Sequence, residues 1–293
     1  MWNVDQKDFL LLRDGGGQPF TAFVDALIRA HGFVYGVGEA DILTSLRASI
    51  KDGGVDTQVR RAMQNDPTGF LDLPTCWQYK GRPYREITQP ALLKEISKPY
   101  ATQLIRKGYA YRVAICDDMP ANKQTRWEEL LTAAARKINP QAPEARVATA
   151  SQLASWANSY PALLPAFFPH DPGPVQYFET WAPNVTKTTP TFVTVDEWSG
   201  RAELIEAHID LTQSATSPII TLQGVAGVGK TRLVYEIVAG LDGAKNLVFY
   251  TADGDDAETV SRFLANNKRT RGVLVADECP VLSRAAIMKI LKG

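Results

Sequence analysis

One stretch restricts the folds open to this chain more than any other. Pro218 to Ile237, PIITLQGVAGVGKTRLVYEI, runs from a β-branched apolar segment through a glycine-rich turn into an amphipathic helix. Gly224, Gly229, Lys230 and Thr231 fill the fixed places of G-x-x-x-x-G-K-[ST], a pattern that belongs between a strand and a helix. Gly224, Gly227 and Gly229 allow positive φ, so successive N–H groups can turn toward phosphate oxygens with no Cβ in the way. The helix starting near Lys230 adds its positive N-terminal dipole. Lys230 is expected to reach the β and γ phosphates of ATP, and the Thr231 hydroxyl to ligate Mg2+. Leu233, Val234, Ile237, Val238 and Leu241 recur at helical spacing and predict the face that holds this helix against a sheet. The expectation is a nucleotide-phosphate site in an α/β domain.

About forty residues beyond Thr231, the buried-strand pattern Gly272-Val273-Leu274-Val275-Ala276 ends on Asp277 and Glu278. This resembles the Walker B element of P-loop NTPases. The resemblance implies that Asp277 holds Mg2+ through water and that Glu278 polarises the attacking water.

The 293 residues, 45% hydrophobic and 22% charged, suit a globular protein of about two domains. Lys and Arg number 32 and Asp and Glu 32, so net charge points to no nucleic-acid partner. Cys76, Cys116 and Cys279 are too few and too far apart for a disulfide framework or a zinc cage, and their apolar, strand-like settings predict reduced core thiols of a cytoplasmic protein. His31, His170 and His208 are scattered and suggest no metal site or triad. No apolar run approaches the eighteen or so residues that span a bilayer, so no membrane partner is expected, and the N-terminus lacks a signal-peptide layout.

The first 160 residues read as a self-contained α/β unit. Phe20, Phe23, Val24, Leu27 and Ile28 lie on one face of a helix that follows the breaker GGGQP. Ile42 to Ile50 fits strand or helix, and Lys51-Asp52-Gly53-Gly54-Val55-Asp56 is a tight turn into the run Val55 to Val59. Leu71 to Tyr79 alternates Cys76 and Gln78 against Trp77 and Tyr79, as a strand does, and ends on Lys80. Helices are expected over Leu92 to Arg106 and Trp127 to Ile138, a strand over Tyr109 to Cys116, and a short strand then helix over Arg146 to Trp156.

DGGVD followed by W-Q-Y-K, after a helix with an F-x-x-F/V pattern, resembles the Mrr-like branch of PD-(D/E)xK restriction endonucleases. In that branch an acid at one strand end and the E/Q-x-K of the next strand converge on Mg2+. The resemblance implies Asp56 as the metal-binding acid, Gln78 as the glutamine that replaces glutamate, and Lys80 as the catalytic lysine. Asp52 competes with Asp56 for the metal role. The helix glutamate common in the family is absent here, with Thr21 and Asp25 in that region. From Lys80 to Arg112 the chain carries Lys80, Arg82, Arg85, Lys94, Lys98, Arg106, Lys107 and Arg112 against Glu86 and Glu95, a basic stretch that would attract DNA phosphates.

Residues 161 to 191 hold seven prolines and little periodicity, and are expected to connect the two domains, docked in part through Phe167, Phe168, Tyr177, Phe178 and Trp181. The third section, 192 to 293, is expected to carry the NTPase. Phe192 to Gln213 resembles the strand, turn and helix that precede the phosphate loop in STAND-type NTPases, which puts Trp198 and Arg201 near the base. A nuclease-like domain joined to such an NTPase resembles bacterial Avs-like anti-phage defence proteins and related restriction factors. The resemblance implies further NTPase strands, so the chain is expected to be part of a longer protein or a truncated gene. It also implies a DNA endonuclease effector, controlled by a homo-oligomerising ATPase switch. Two other readings stay open: a nucleotide-sensing protein with an inactive N-terminal domain, and a subunit of a DNA-processing restriction ATPase.

Overall fold

The computed structural model describes residues 3–13, 17–45, 53–168, 175–188, 219–241 and 243–292. The chain divides into two compact units that meet in sequence between Asn158 and Ser159. Each is mixed α/β.

In the first unit, helix α1 (Gln18–Val34) starts where Gly17, at φ 84°, turns the chain and Pro19 fixes the first turn. Its apolar face, Phe20, Phe23, Val24, Leu27 and Ile28, is wholly buried. Burial of a side chain such as Leu27 stabilises by about 1.5–3 kcal/mol. The sheet runs β1 (Ile42–Thr44), β2 (Thr57–Val59), β3 (Thr75–Lys80), β4 (Ala110–Ile115), β5 (Arg146–Ala148) in spatial as in chain order. Strands β1, β2 and β3 are antiparallel neighbours, whereas β3, β4 and β5 run parallel. The undecided segment after Ile42 is therefore strand at least to Thr44. β3 sits at the centre, so every residue from Thr75 to Tyr79 is buried and only Lys80 emerges. The expected alternation holds, because Cys76 joins the core under the crossover helices while Tyr79 meets Phe20 of α1 at 6.3 Å between ring centres. The strand starts at Thr75 rather than Leu71, whose N–H is taken by the Asp66 carboxylate.

The helix expected over Leu92 to Arg106 is two helices, α2 (Gln89–Ile96) and α3 (Pro99–Arg106). Pro99 forces Lys98 into an extended conformation, φ −67° and ψ 154°, and ends the first helix before it. α4 (Ala121–Ile138) follows β4. α5 (Ala150–Ala157) follows β5 and opens on a capping box between Thr149 and Gln152.

The second unit begins with a 3-10 turn, Pro161–Ala166, and continues through β6 (Gln176–Tyr177) and α6 (Phe178–Thr188). The proline-rich segment thus supplies elements of this unit, β6 pairing antiparallel with β7 (Val248–Thr251). β7 pairs parallel with β8 (Val273–Ala276). α7 (Lys230–Gly240) starts at Gly229, φ 90°, and α8 (Gly254–Asn266) is capped by Asp253, which accepts from the N–H groups of Asp255 and Asp256. α9 (Val281–Lys292) packs on α8. The expected strand before the glycine-rich loop is not formed. Residues 219–223 pair with no strand among the described residues, and a strand exists only through such pairing.

Candidate functional site

Two stretches far apart in sequence meet in the second unit. The loop Gly224 to Gly229 is solvent-exposed over most of its length, with Gly227 at φ 77° and Gly229 at φ 90°. A Cβ at Gly227 would stand in open space, so the loop leaves room on that side for a ligand. Lys230 folds over the loop and donates from Nζ to Gly224 O and Val225 O, each at 3.1 Å. Thr231, next in α7, donates its hydroxyl to Asp277 Oδ2 at 2.6 Å. Asp277 follows β8, and its N–H donates to Thr251 O at 2.8 Å, which locks it to the neighbouring strand end. The hydroxyl of Tyr250 donates to the same Oδ2 at 3.2 Å, and Glu278 N–H to Oδ1 at 3.0 Å. Glu278 is exposed and adopts φ 46°, a left-handed backbone that a glutamate enters only at a cost. Burial, then the nearby Asp277 carboxylate, pushes the Tyr250 hydroxyl up to about 12, so it stays a neutral donor. The donor set is a hydroxyl beside a carboxylate, both hard oxygen ligands of the kind Mg2+ takes, next to an ammonium and positive-φ glycines.

In the first unit, the Asp56 N–H donates to Trp77 O at 2.8 Å, which sets the residue just ahead of β2 against β3. Asp56 Oδ2 accepts from Gln78 Nε2 and from Tyr79 N–H, both at 2.6 Å. Gln78 Oε1 is buried, and among the described residues it has no hydrogen-bond partner. A buried orphan acceptor is costly, and a cation on that oxygen would satisfy it. Lys80 stands two residues on, and its Nζ lies 3.7 Å from Glu95 Oε1, while Lys98 takes Glu95 Oε2 at 2.5 Å. Among the described residues no group of three or more His, Cys, Asp or Glu could hold a metal ion. Asp25 in α1 is engaged by Arg29 at 3.0 Å and by the Thr44 hydroxyl at 2.5 Å, and Thr21 donates to Gly17 O.

No protein-family model, no curated protein and no solved structure matches the chain.

The basic stretch is only partly available. Arg82, Arg85, Lys94, Arg106 and Lys107 are exposed, but Arg112 is 2% exposed. Its guanidinium donates to Phe70 O at 2.9 Å and Glu144 O at 2.8 Å, so it ties the segment before β3 to that before β5. Burial lowers its pKa to about 10, which still leaves it charged. Cys76 and Cys116 are buried thiols, pushed up to about 12 mainly by burial, and are inert. Cys279, by contrast, is half-exposed in the turn after β8, not in a strand. Asp52, Trp198, Arg201, His170 and His208 lie outside the described residues. No helix among the described residues is long and apolar enough to cross a membrane. Sequence reasoning missed Tyr250 and Glu95. Neither carries a spacing signal, since Tyr250 reads as a strand residue and Glu95 as the wet face of a helix.

Proposed function

We propose that the chain is a nucleotide-regulated, Mg2+-dependent DNA endonuclease. The observation that carries the nucleotide half is the hydrogen bond from Thr231 to Asp277, which joins the end of the glycine-rich loop to the acid after β8 across 46 residues of sequence. Lys230 would neutralise phosphate charge, Thr231 and Asp277 would hold the metal, and Glu278 would orient the attacking water.

The nuclease half is supported by Asp56, Gln78 and Lys80 at one end of a strand pair, with Gln78 Nε2 on the carboxylate and its Oε1 unsatisfied. Mg2+ bound by Asp56 and Gln78 would supply a water of lowered pKa. Lys80 would then stand by to offset charge on the attacked phosphate, and the exposed Arg82 and Arg85 that follow β3 would draw in the DNA backbone. With one carboxylate and a neutral amide, this centre would hold its metal less tightly than a two-carboxylate centre. The second reading is a nucleotide-sensing protein with an inactive first unit. It takes its support from Lys80, whose ammonium is directed to Glu95 rather than to Asp56.

Plasmid cleavage with ATP and Mg2+, with and without EDTA, separates the two. We expect cleavage by the wild-type chain that is lost on chelation and lost in both Asp56→Ala and Lys80→Ala, each shown to be folded, with a lower melting temperature in Asp56→Ala because Gln78 Nε2 and the Tyr79 N–H lose their acceptor. Cleavage that survives both substitutions, or that never appears in the wild type, removes the nuclease half and leaves the sensing module.

A further inference from the structure

The mouth of the phosphate loop is tied to an aromatic cluster contributed by a segment that precedes it in sequence. Trp181, on α6, is 1% exposed and stacks on Tyr250 with ring centres 4.8 Å apart and planes 14° from parallel. The same indole meets Tyr235 of α7 edge-on at 6.0 Å. Phe178 stacks on Tyr235 at 5.8 Å, with planes 2° apart. Tyr250 is thus gripped by its ring, and its hydroxyl reaches Asp277 Oδ2 at 3.2 Å, on the oxygen that also accepts from Thr231. Each Asp277 oxygen is therefore held, one by two hydroxyls and the other by the Glu278 N–H.

We propose that Tyr250 is a positioning residue for the metal acid of the nucleotide site, keeping Asp277 aimed at Mg2+ while Trp181 on α6 keeps Tyr250 in place. This rests on the nucleotide reading above. A hydroxyl can ligate through an oxygen lone pair and still donate its proton, so with Mg2+ on the Thr231 oxygen both hydroxyl bonds to Asp277 can persist; the Tyr250 bond is the one whose donor does not also bind the metal, and it fixes the carboxylate independently of the loop. A carboxylate already oriented loses less freedom on engaging a metal through water, so the hydroxyl strengthens the Mg2+-dependent part of nucleotide affinity and not the phosphate contacts made by Lys230 and the loop.

The test is a comparison of ATP affinity at saturating Mg2+ with affinity in EDTA, measured by fluorescence of a labelled ATP analogue on the full chain. The gain that Mg2+ confers is the quantity read. Tyr250→Phe keeps the ring and its stacking on Trp181, and we expect it to cut that gain about fivefold, the order of one ordinary hydrogen bond. Asp277→Asn should remove most of the gain by itself, and Tyr250→Phe added to it should change nothing further, as a double-mutant cycle requires of a residue that acts through Asp277. An unchanged or enlarged gain in Tyr250→Phe overturns the proposal, as do additive effects of the two substitutions. A wild-type chain that binds no ATP overturns the nucleotide reading itself. One that binds Mg2+ and ATP with a Tyr250-independent gain overturns only this inference.

Discussion

Because the indole N–H of Trp156 donates to His31 Nδ1 at 2.9 Å, that nitrogen keeps its lone pair, and the proton sits on Nε2, which donates to Asp66 Oδ1 at 3.0 Å. His31 is 1% exposed, and burial lowers its pKa below 6.5 against the pull of Asp66. Burial alone would raise the Asp66 carboxyl, but donors from His31, Leu71 N–H and Thr68 outweigh it and hold the group at about 2. Both folded-state pKa values are depressed, so both contributions are present above the unfolded values and fade as pH falls. Stability should begin to drop below about 6.5, where the unfolded histidine takes up a proton, and fall again from about 4 toward the folded value of Asp66. Urea unfolding between pH 7 and 3 should follow this two-stage decline. Asp66→Asn should cost about 1–3 kcal/mol at pH 7, since the amide cannot accept every bond the carboxylate does, and should flatten the lower stage. A pH-independent midpoint in the wild type would contradict the assignment. The pair ties α1 to the turn that runs from Asp66 to Leu71.

At the scale of elements, the turn that delivers Asp56 depends on glycine. Gly54 has φ 92°, and a Cβ there would lie 2.3 Å from Glu95 O, in the last turn of α2, and 3.0 Å from Lys98 Cβ, just before α3. Gly54→Ala must therefore strain the backbone and push the turn off α2, at a cost of about 2–4 kcal/mol. The melting temperature should fall by about 2–4 °C per kcal/mol if the first unit, Asn3–Asn158, unfolds on its own. An unchanged melting temperature would show that the turn relaxes freely. Much of this layout was legible in the sequence. The face Phe20, Phe23, Val24, Leu27 and Ile28 is a local periodicity imposed by burial on one side, and the strands at Thr75–Lys80 and Val273–Ala276 were legible as apolar runs, though the second is half-buried rather than buried. The break between α2 and α3 was legible too, in Pro99, but the apolar spacing across it masked the signal. Two kinds of feature were not legible. Strand status at 219–223 depends on a neighbour that no local pattern names. The grip of Tyr250 on Asp277 joins β7 to the turn after β8, and only the parallel register of those strands, Thr251 beside Ala276, brings the two within reach.

At the scale of the whole molecule, the residues read for phosphate chemistry fall into two groups, one in each unit. The nucleotide group, Gly224 to Thr231 with Asp277, lies in the second unit, and the candidate hydrolytic group, Asp56, Gln78 and Lys80, in the first. Control of one by the other therefore requires nucleotide to change a state that both units sense. Everything in that scheme stands on the assembly of the glycine-rich loop, Lys230 and the Thr231–Asp277 pair into one nucleotide site. The most direct measurement is calorimetric titration of ATP with Mg2+ into the wild-type chain and into Lys230→Ala. Lys230 contacts only loop carbonyls among the described hydrogen bonds, so its removal should leave the fold intact. The account predicts saturable binding by the wild type and affinity lower by about 10- to 100-fold in Lys230→Ala, the worth of a hydrogen bond to a charged group. Equal affinity in the two proteins, both shown to be folded, would contradict it.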